Sequence, residues 1–339
     1  MTQRCWRWRI ESLDMNRRLF SLAVALAALA FSTLSHAADE LRVMVHSSFS
    51  LPKPLLAQFE KEAGVKLAII KGGDAGEMLN KLILTKTSPV ADLVYGIDNT
   101  LQAKAQAAGV LDGALAPVDY GFVTINFDKT AVAQSAMVLP RTLQDLTLPA
   151  YKGALVVPNP ATSSTGYAFL LATIAGLGEE QAFTWWAQMR ANGLKVAKGW
   201  SEAYYTDFTR GGGSHPLVVS YATSPAAEVF YAKEKRTQSP TGSLNLKGGV
   251  FKQVEGVALL KGGSHRTQAQ KFIDFLRSPA VQTALQTEMW MYPAQASSPR
   301  APVLLQHAGE PAHFESLPAQ AIAENGAKWV ARWTQVVLK

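Results

Sequence analysis

Short apolar segments of two kinds alternate along most of this 339-residue chain. Segments such as 41–45 and 154–157 consist largely of β-branched and other apolar residues, which is typical of buried strands. Longer segments such as 54–63 and 267–277 repeat their apolar residues at helical spacing. Because strands that alternate with helices usually pair in parallel, the pattern predicts an α/β fold of mixed, mostly parallel sheets flanked by helices.

The N-terminus has the pattern of a cleavable secretory signal peptide over residues 1–37. Arg17 and Arg18 precede an uncharged apolar run, 19–34, which leads into a small-x-small sequence at 35–37. A membrane anchor is the alternative, but the apolar run is shorter than the roughly 20 residues that a spanning helix needs. The pattern therefore predicts export to the periplasm.

Loss of the signal peptide changes what the composition implies. Met15 lies just before the basic pair, so residues 1–14 are predicted to be an over-called start. Cys5, the one cysteine of the chain, lies in this segment, so the exported protein has no thiol for disulfides, catalysis or thiolate-bound zinc. The formal net charge falls from +7 to about +4, and no run of basic residues interleaved with aromatics indicates nucleic-acid binding.

The rest of the chain is predicted to form two lobes with a cleft between them. No internal repeat, low-complexity tract or linker divides it, so we expect the chain to cross between lobes more than once, near 119–128 and 250–257. Ligands of open α/β sheets bind beyond the carboxyl ends of the strands, so two facing lobes predict a ligand cleft. The predicted boundaries are an N-terminal lobe of residues 38–118 plus about 252–295, a C-terminal lobe of residues 119–251, and a C-terminal helical segment of residues 296–339.

Two strand-to-helix junctions carry candidate polar contacts. The first, 159–166, contains Ser163 and Ser164 before an apolar helical run, where hydroxyls and free backbone N–H groups favour an anion. This junction is either a plain serine N-cap or a cradle for a phosphate or carboxylate, and the sequence leaves both alternatives open. The second junction comprises Asp74, Ala75 and Gly76. Asp74 is predicted either to cap the following helix or to face an amino group or a cationic ring.

Several aromatic residues stand at the ends of predicted elements: Trp200, Tyr221 and Trp290. An indole or phenol at a cleft edge stacks on flat heterocycles, and a cationic ring adds a cation–π attraction of about 0.5–2 kcal/mol. Ordinary core packing is the alternative, and it is our prediction for Trp185 and Trp186, which lie inside a helical pattern. Trp200 and Trp290 stand next to turn residues and are therefore predicted to contact a ligand.

The segments around these aromatics carry a family resemblance: Gly-Trp-Ser-Glu-Ala-Tyr at 199–204, Ser-Tyr-Ala-Thr-Ser-Pro-Ala at 220–226 and Trp-Met-Tyr-Pro at 290–293. Asp-Tyr-Gly at 119–121 and Gly-Ile-Asp-Asn at 96–99 support it. In this order and combination, the segments closely resemble motifs of periplasmic thiamine-binding proteins, the substrate-binding components of ABC thiamine importers. The resemblance extends over nearly all of the chain that follows the signal peptide.

This resemblance implies a type II periplasmic binding protein with a hinged cleft between two lobes. The implied ligand is thiamine or its mono- or diphosphate, captured without chemistry or a cofactor and delivered by a monomer to an inner-membrane ABC permease. By position, Trp200, Tyr221 and Trp290 match aromatic ligand contacts of the family. Ser163 matches a hydroxyl near the phosphate, and Asp74 matches a polar contact near the ligand.

Two positions depart from the family pattern and leave the identity of the ligand open. His46 follows the first predicted strand, where the family often has a tyrosine. Ala227 stands where the family often has an aromatic residue. These changes remove one stacking face and replace another by a smaller, titratable ring. They either weaken thiamine binding or shift the preference among thiamine, its phosphates and a pyrimidine breakdown product.

Two other functions have some support in the sequence. Tyr204-Tyr205 and His46 are reminiscent of the ligands of ferric-ion-binding proteins of the same general fold, because phenolate oxygens suit ferric iron. Trp200 lies in the same segment, however, and packing together with surface exposure explains the tyrosine pair. A secreted hydrolase is the other alternative, but the chain has neither a Gly-x-Ser-x-Gly elbow nor a His-Glu-x-x-His zinc helix.

Overall fold

The computed structural model describes residues 39–339. Its strands form a mixed sheet. The predicted signal peptide lies outside the described residues. The strands are β1 (Glu40–Val45), β2 (Lys66–Lys71), β3 (Leu93–Asp98), β4 (Leu111–Asp128), β5 (Leu155–Pro158), β6 (Lys195–Ala197), β7 (Leu217–Tyr221), β8 (Thr241–Leu244), β9 (Phe251–Leu260) and β10 (Tyr292–Pro293).

Helices connect most of these strands. They are α1 (Lys53–Ala63), α2 (Ala75–Leu84), α3 (Gln102–Ala107), α4 (Lys129–Gln134), α5 (Ser164–Leu177), α6 (Glu179–Ala191), α7 (Trp200–Glu202), α8 (Ser224–Phe230), α9 (Arg266–Leu276), α10 (Pro279–Glu288), α11 (Pro302–His307) and α12 (Ala319–Leu338). A π-helical turn, Ala203–Asp207, directly follows α7. Among the described residues, no helix combines the length and the apolar character that crossing a bilayer requires.

The strands pair in both directions. Their order across the sheet is β2-β1-β3-β9-β4-β7-β5-β6, and β8 and β10 also pair with β4. β1 pairs in parallel with β3, as β5 does with β6 and with β7. β4 and β9 pair antiparallel with each other. In addition, β9 pairs antiparallel with β3, and β4 pairs antiparallel with β7. The mixed α/β sheet that the alternating pattern predicts is therefore confirmed, with parallel pairing in its outer parts.

Strands β4 and β9 lie in the middle of the sheet and contain most of both predicted crossing segments. β4 is 18 residues long, and its residues 111–123 lie opposite residues 251–260 of β9. The group β2-β1-β3 lies on one side of this pair and β7-β5-β6 on the other. This order is the one expected of two crossing strands, whereas the lobe boundaries themselves stay a prediction.

A large hydrophobic core surrounds α5, α6 and α12. Trp185 and Trp186 on α6 are buried, as predicted, and their rings meet edge to face with centroids 4.8 Å apart. Trp186 also packs against the buried Trp333 of α12 at a centroid distance of 5.6 Å. The last helix of the chain therefore belongs to this core.

Candidate ligand-binding site

A cavity of about 570 Å³ lies beyond the carboxyl ends of β1 and β7, a volume typical of small-molecule sites. Its wall combines the residues after β1, the N-terminal ends of α2, α5 and α8, and the residues between α10 and β10. Most of the predicted site residues line it: His46, Asp74, Ala75, Ser164, Trp200, Tyr221 and Trp290. Ala227, one of the two departures from the family pattern, lines it as well.

Asp74 caps α2 and also joins this helix to the segment that begins at Trp200. One of its carboxylate oxygens accepts a hydrogen bond from the Ala75 N–H at 2.7 Å, and the other accepts from the Trp200 N–H at 2.9 Å. Burial raises the pKa of Asp74, while the two N–H donors and the Ser163 hydroxyl oppose the rise. The predicted capping role is confirmed, and the side chain still faces the cavity.

Ser163 and Gly76 lie behind the described wall of the cavity rather than on it. Ser163 is fully buried and caps α5, where its hydroxyl accepts from a first-turn N–H at 3.5 Å. Gly76 packs against Thr162, whose carbonyl oxygen would lie 2.7 Å from a Cβ at position 76. The next residues of α5, Ser164 and Thr165, line the cavity. A direct ligand contact of Ser163 or Gly76 stays a prediction.

Trp200 forms a fixed aromatic face of the cavity. Its indole N–H donates to the Ser220 hydroxyl at 2.8 Å, and its ring stacks on Tyr204 with centroids 5.4 Å apart and planes 23° from parallel. Tyr205 meets the same indole edge-on. Tyr204 is 6% exposed and Tyr205 is 62% exposed, which matches the predicted packing and surface roles. Both also line the cavity, which sequence reasoning missed.

Tyr221 links the cavity to the middle of the sheet. Its hydroxyl donates to Gln253 Oε1 at 2.7 Å and lies 3.1 Å from Thr165 Oγ1. The Gln253 amide donates in turn to Asp98. Burial and the negative charge of Glu255 raise the pKa of Tyr221 well above its usual value, so its hydroxyl stays protonated. The side chain therefore offers the cavity a neutral aromatic edge in a fixed orientation.

Trp290 has a strained backbone at the cavity wall. Its φ of 59° lies in the left-handed region that residues with bulky side chains rarely adopt. The indole meets Phe230 and Tyr231 edge-on at centroid distances of 5.2 and 5.6 Å. Its buried N–H has no hydrogen-bond partner within the described part of the chain. Because strain of this kind clusters at ligand clamps, the geometry of Trp290 favours a ligand contact.

His46 and Glu255 lie side by side on the same wall and form an ion pair when His46 is protonated. His46 Nε2 lies 3.3 Å from Glu255 Oε2. Gly96 makes room for the imidazole, since its φ is 98° and a Cβ at this position would overlap the ring. Burial lowers the pKa of His46, but attraction to Glu255 and Asp74 outweighs burial, and the net shift of the pKa is upward.

Further acids lie behind Glu255. Burial and the charge of Glu255 raise the pKa of Asp98 to about 6. The same two causes raise the pKa of Asp119 well above its usual value, while the Tyr95 hydroxyl donates to this carboxyl. Glu255 is the member of this acidic group that lines the cavity. A buried carboxylate at a cavity wall favours a positively charged group in the cavity.

Basic side chains line the cavity as well. Arg210 pairs with Glu228, with an N–O distance of 3.1 Å. Lys233 and Arg236 come from the segment between α8 and β8. The cavity therefore combines aromatic faces with side chains of both charges, which suits a flat ligand that is itself of mixed charge.

Sequence reasoning missed Glu255 and the basic residues of the wall. Glu255 lies in the apolar segment 253–260 that predicts a strand, and a lone acid in such a segment is the signal that could have revealed it. Lys233 and Arg236 stand in a polar loop without periodicity. Nothing in the sequence distinguishes them from ordinary surface residues.

Gly96→Ala is expected to destabilise the protein and displace the His46 ring. The new Cβ overlaps the imidazole, and a φ of 98° strains an alanine. We expect the free energy of unfolding, measured by urea denaturation, to fall by about 2–3 kcal/mol. Gly64→Ala is the matched control, because its φ is 69° and nothing lies within 4 Å of its Cβ. It should cost about 1 kcal/mol, and equal losses would contradict a role of Gly96 in seating His46.

Residues 88–325 match the profile of one protein family, described as bacterial extracellular solute-binding proteins. The matched stretch is more than half of the chain and contains Trp200, Tyr221, Glu255 and Trp290 from the cavity wall. The chain belongs to this family. The chain is accordingly a bacterial solute-binding protein.

Individual relatives add detail to the family assignment. A thiamine-binding periplasmic protein of Brucella melitensis is 29% identical over 341 aligned positions, which cover 93% of this chain and 98% of the relative. Among solved structures, a periplasmic thiamin binding protein matches with a TM-score of 0.79 and 27% identity, over 90% of this chain and 98% of its own. A ferric binding protein from Campylobacter jejuni matches with a TM-score of 0.69 and 17% identity, over 87% of this chain and 99% of its own.

These similarities confirm two predictions from the sequence. The resemblance to periplasmic thiamine-binding proteins holds over nearly the whole chain. The two-lobed, type II periplasmic binding fold, with its ligand cleft between the lobes, is confirmed as well. The likeness to the ferric binding protein concerns the fold alone.

Proposed function

We propose that the protein captures thiamine or one of its phosphates in the periplasm and delivers it to an ABC importer without changing it chemically. The observation that carries this proposal is a single cavity lined by Trp200, Tyr221 and Trp290 together with Asp74 and Glu255. Aromatic faces beside buried carboxylates suit a flat ring with a positive charge. Thiamine has such a ring, and the thiamine-binding relatives support the assignment.

The phosphates of the proposed ligand have a complementary region in the same cavity. Ser164 and Thr165 are the first residues of the 14-residue helix α5, whose first-turn N–H groups have no partner inside the helix. These donors and the helix dipole favour an anion. Lys233 and Arg236 add positive charge to the wall. The arrangement supports thiamine phosphates as ligands beside thiamine itself.

The proposed transport cycle adds export and hinge closure. The signal peptide of residues 1–37 directs a monomer to the periplasm, where the lobes of residues 38–118 plus about 252–295 and of residues 119–251 close on the ligand. The hydrogen bond between Asp74 and the Trp200 N–H supports closure, because it joins segments assigned to different lobes. The closed form then docks on the inner-membrane permease.

Isothermal titration of the purified protein with thiamine, thiamine monophosphate and thiamine diphosphate tests the proposal. For at least one of the three we expect a dissociation constant below about 1 μM, or a binding free energy beyond about −8 kcal/mol. Tryptophan fluorescence should change in parallel, because Trp200 and Trp290 line the cavity. The ligand recovered afterwards should be chemically unchanged. Absence of binding to all three compounds would overturn the thiamine assignment.

Ferric-ion capture is the second candidate, because His46, Tyr204 and Tyr205 line one cavity. That role requires phenolate ligands. Burial and the charge of Glu228 raise the pKa of both tyrosines, and the Tyr204 hydroxyl donates to Glu228 at 3.0 Å. We therefore expect no visible absorption band when ferric citrate is added. A phenolate-to-iron band of one-to-one stoichiometry would favour iron instead.

A further inference from the structure

We propose that Glu255 is the counter-charge of the ligand's cationic ring and that His46 occupies this place in the ligand-free protein, so that ligand binding expels a proton from His46. The inference rests on the proposed function in one respect, the positive charge of the ligand. It adds to that function a residue that selects for a cation and a proton that is exchanged in the binding step.

The contact between the two side chains supports competition for one carboxylate. His46 Nε2 lies 3.3 Å from Glu255 Oε2, and both residues line the cavity. The two atoms are buried, and neither has a hydrogen-bond partner among the described residues. A buried carboxylate is costly without a nearby positive charge. A ligand cation that enters the cavity can therefore take over the place of the imidazolium.

The groups around His46 favour its charged form. Asp74 faces it from the start of α2, and Lys71 at the end of β2 opposes the effect of Asp74. Tyr95 of β3 packs beside the imidazole with ring centroids 5.6 Å apart. Burial lowers the pKa of His46, but Glu255 and Asp74 together raise it above its usual value of 6.5. The contact with Glu255 therefore favours the protonated form of His46.

The groups around Glu255 are acids and hydroxyls. Asp98 of β3, Asp119 of β4 and Tyr221 of β7 all interact electrostatically with Glu255, as does the Tyr95 hydroxyl. Within residues 39–339, the ion-pair partner of Glu255 is His46. A protonated His46 therefore places one positive charge against this acidic group, and a second positive charge beside it would repel the first.

The direction of the pH dependence follows from this repulsion. A cationic ring beside Glu255 lowers the pKa of His46 in the complex. At pH values between the lowered pKa of His46 in the complex and its raised pKa in the free protein, binding releases a proton. The dissociation constant therefore falls as the pH rises through this window, by up to about tenfold per pH unit, and levels off above the pKa of the free protein.

Calorimetric titration with thiamine in phosphate and in Tris at pH 7 tests the inference, because these buffers differ in ionisation enthalpy. Thiamine is the probe, since the second ionisation of a phosphate, at about pH 6, would add its own proton exchange. We expect release of up to about one proton per ligand bound. His46→Gln should bind thiamine without releasing a proton. His313→Gln, at an exposed residue outside the cavity wall, is the matched control and should keep the wild-type release.

A second variant tests the counter-charge itself. Glu255→Gln removes the carboxylate but keeps the size of the side chain. Its affinity for thiamine should fall at least about tenfold, because the cation then lacks its buried partner. Its binding should also release no proton. An affinity of Glu255→Gln equal to that of the wild type would overturn the assignment of Glu255.

The outcomes separate this inference from the proposed function. Buffer-independent heats with a measurable affinity would overturn proton release and leave thiamine binding intact. Full release from His46→Gln would also overturn it, because the proton then comes from another group. Should that variant be unstable, NMR titration of the His46 imidazole in the wild type decides, and a pKa unchanged by thiamine overturns the inference. No thiamine binding in either buffer contradicts both this inference and the proposal of thiamine as the ligand.

Discussion

Trp290→Ala is expected to weaken thiamine binding roughly thirtyfold or more, a loss of about 2 kcal/mol. The indole lines the cavity and is held in a left-handed backbone conformation, with φ at 59°, against Phe230 and Tyr231. Its removal takes away an aromatic face and its attraction for a cationic ring. Isothermal titration at constant pH measures the change.

Trp185→Phe is the matched control for this loss. Trp185 is buried on α6 and donates a hydrogen bond to the Leu143 carbonyl at 2.7 Å, so the variant should lose stability but keep its affinity. Trp290→Gly separates the backbone from the side chain, because glycine adopts a positive φ without strain. It should be about 1 kcal/mol more stable than Trp290→Ala. Equal loss of affinity in Trp290→Ala and Trp185→Phe would contradict the assignment of Trp290.

Asp74→Ala is expected to lower the free energy of unfolding by about 3 kcal/mol and to weaken ligand binding. The substitution removes the cap of α2, worth about 1 kcal/mol, and leaves the Trp200 N–H without its acceptor, which costs about 2 kcal/mol. Trp200 then loses its link to α2, so the aromatic wall is less ordered when the ligand arrives. Urea denaturation and thiamine titration measure the two effects.

Asp128→Ala controls for the loss of a cap alone. Asp128 caps α4, accepting from the Thr130 N–H at 2.9 Å, and its other oxygen accepts from the Thr209 hydroxyl at 2.8 Å. It lies outside the described cavity wall, so its loss should destabilise the protein by a similar amount without changing affinity. An Asp74→Ala variant that binds thiamine as tightly as the wild type would remove Asp74 from the binding mechanism.

Local patterns predicted most of the elements that build the site. The strand predicted at 41–45 is β1 (Glu40–Val45), and the segment 217–221, which has the same apolar pattern, forms β7. These boundaries follow from runs of apolar and β-branched residues, which depend on nearby sequence alone. The same strands end where the cavity begins, so the prediction of a site at the carboxyl ends was informative.

Other parts of the site depend on contacts that a local pattern does not contain. Glu255 faces the cavity because β9 pairs with both β3 and β4, which are distant in sequence. Its partnership with His46 further requires the glycine at position 96. At α5 a shift of one residue decides which hydroxyl reaches the cavity, since Ser163 caps the helix while Ser164 lines the cavity. A sequence pattern does not resolve a shift of one residue at a helix start.

A crystal structure of the complex with thiamine monophosphate tests the central claim most directly. The cationic ring should lie in the cavity of about 570 Å³, within about 6 Å of an aromatic ring centroid of Trp200, Tyr221 or Trp290. The phosphate should accept hydrogen bonds from the first turn of α5, near Ser164 and Thr165. A ligand bound outside this cavity, or inside it with the cationic ring away from all three aromatic residues, would contradict the claim.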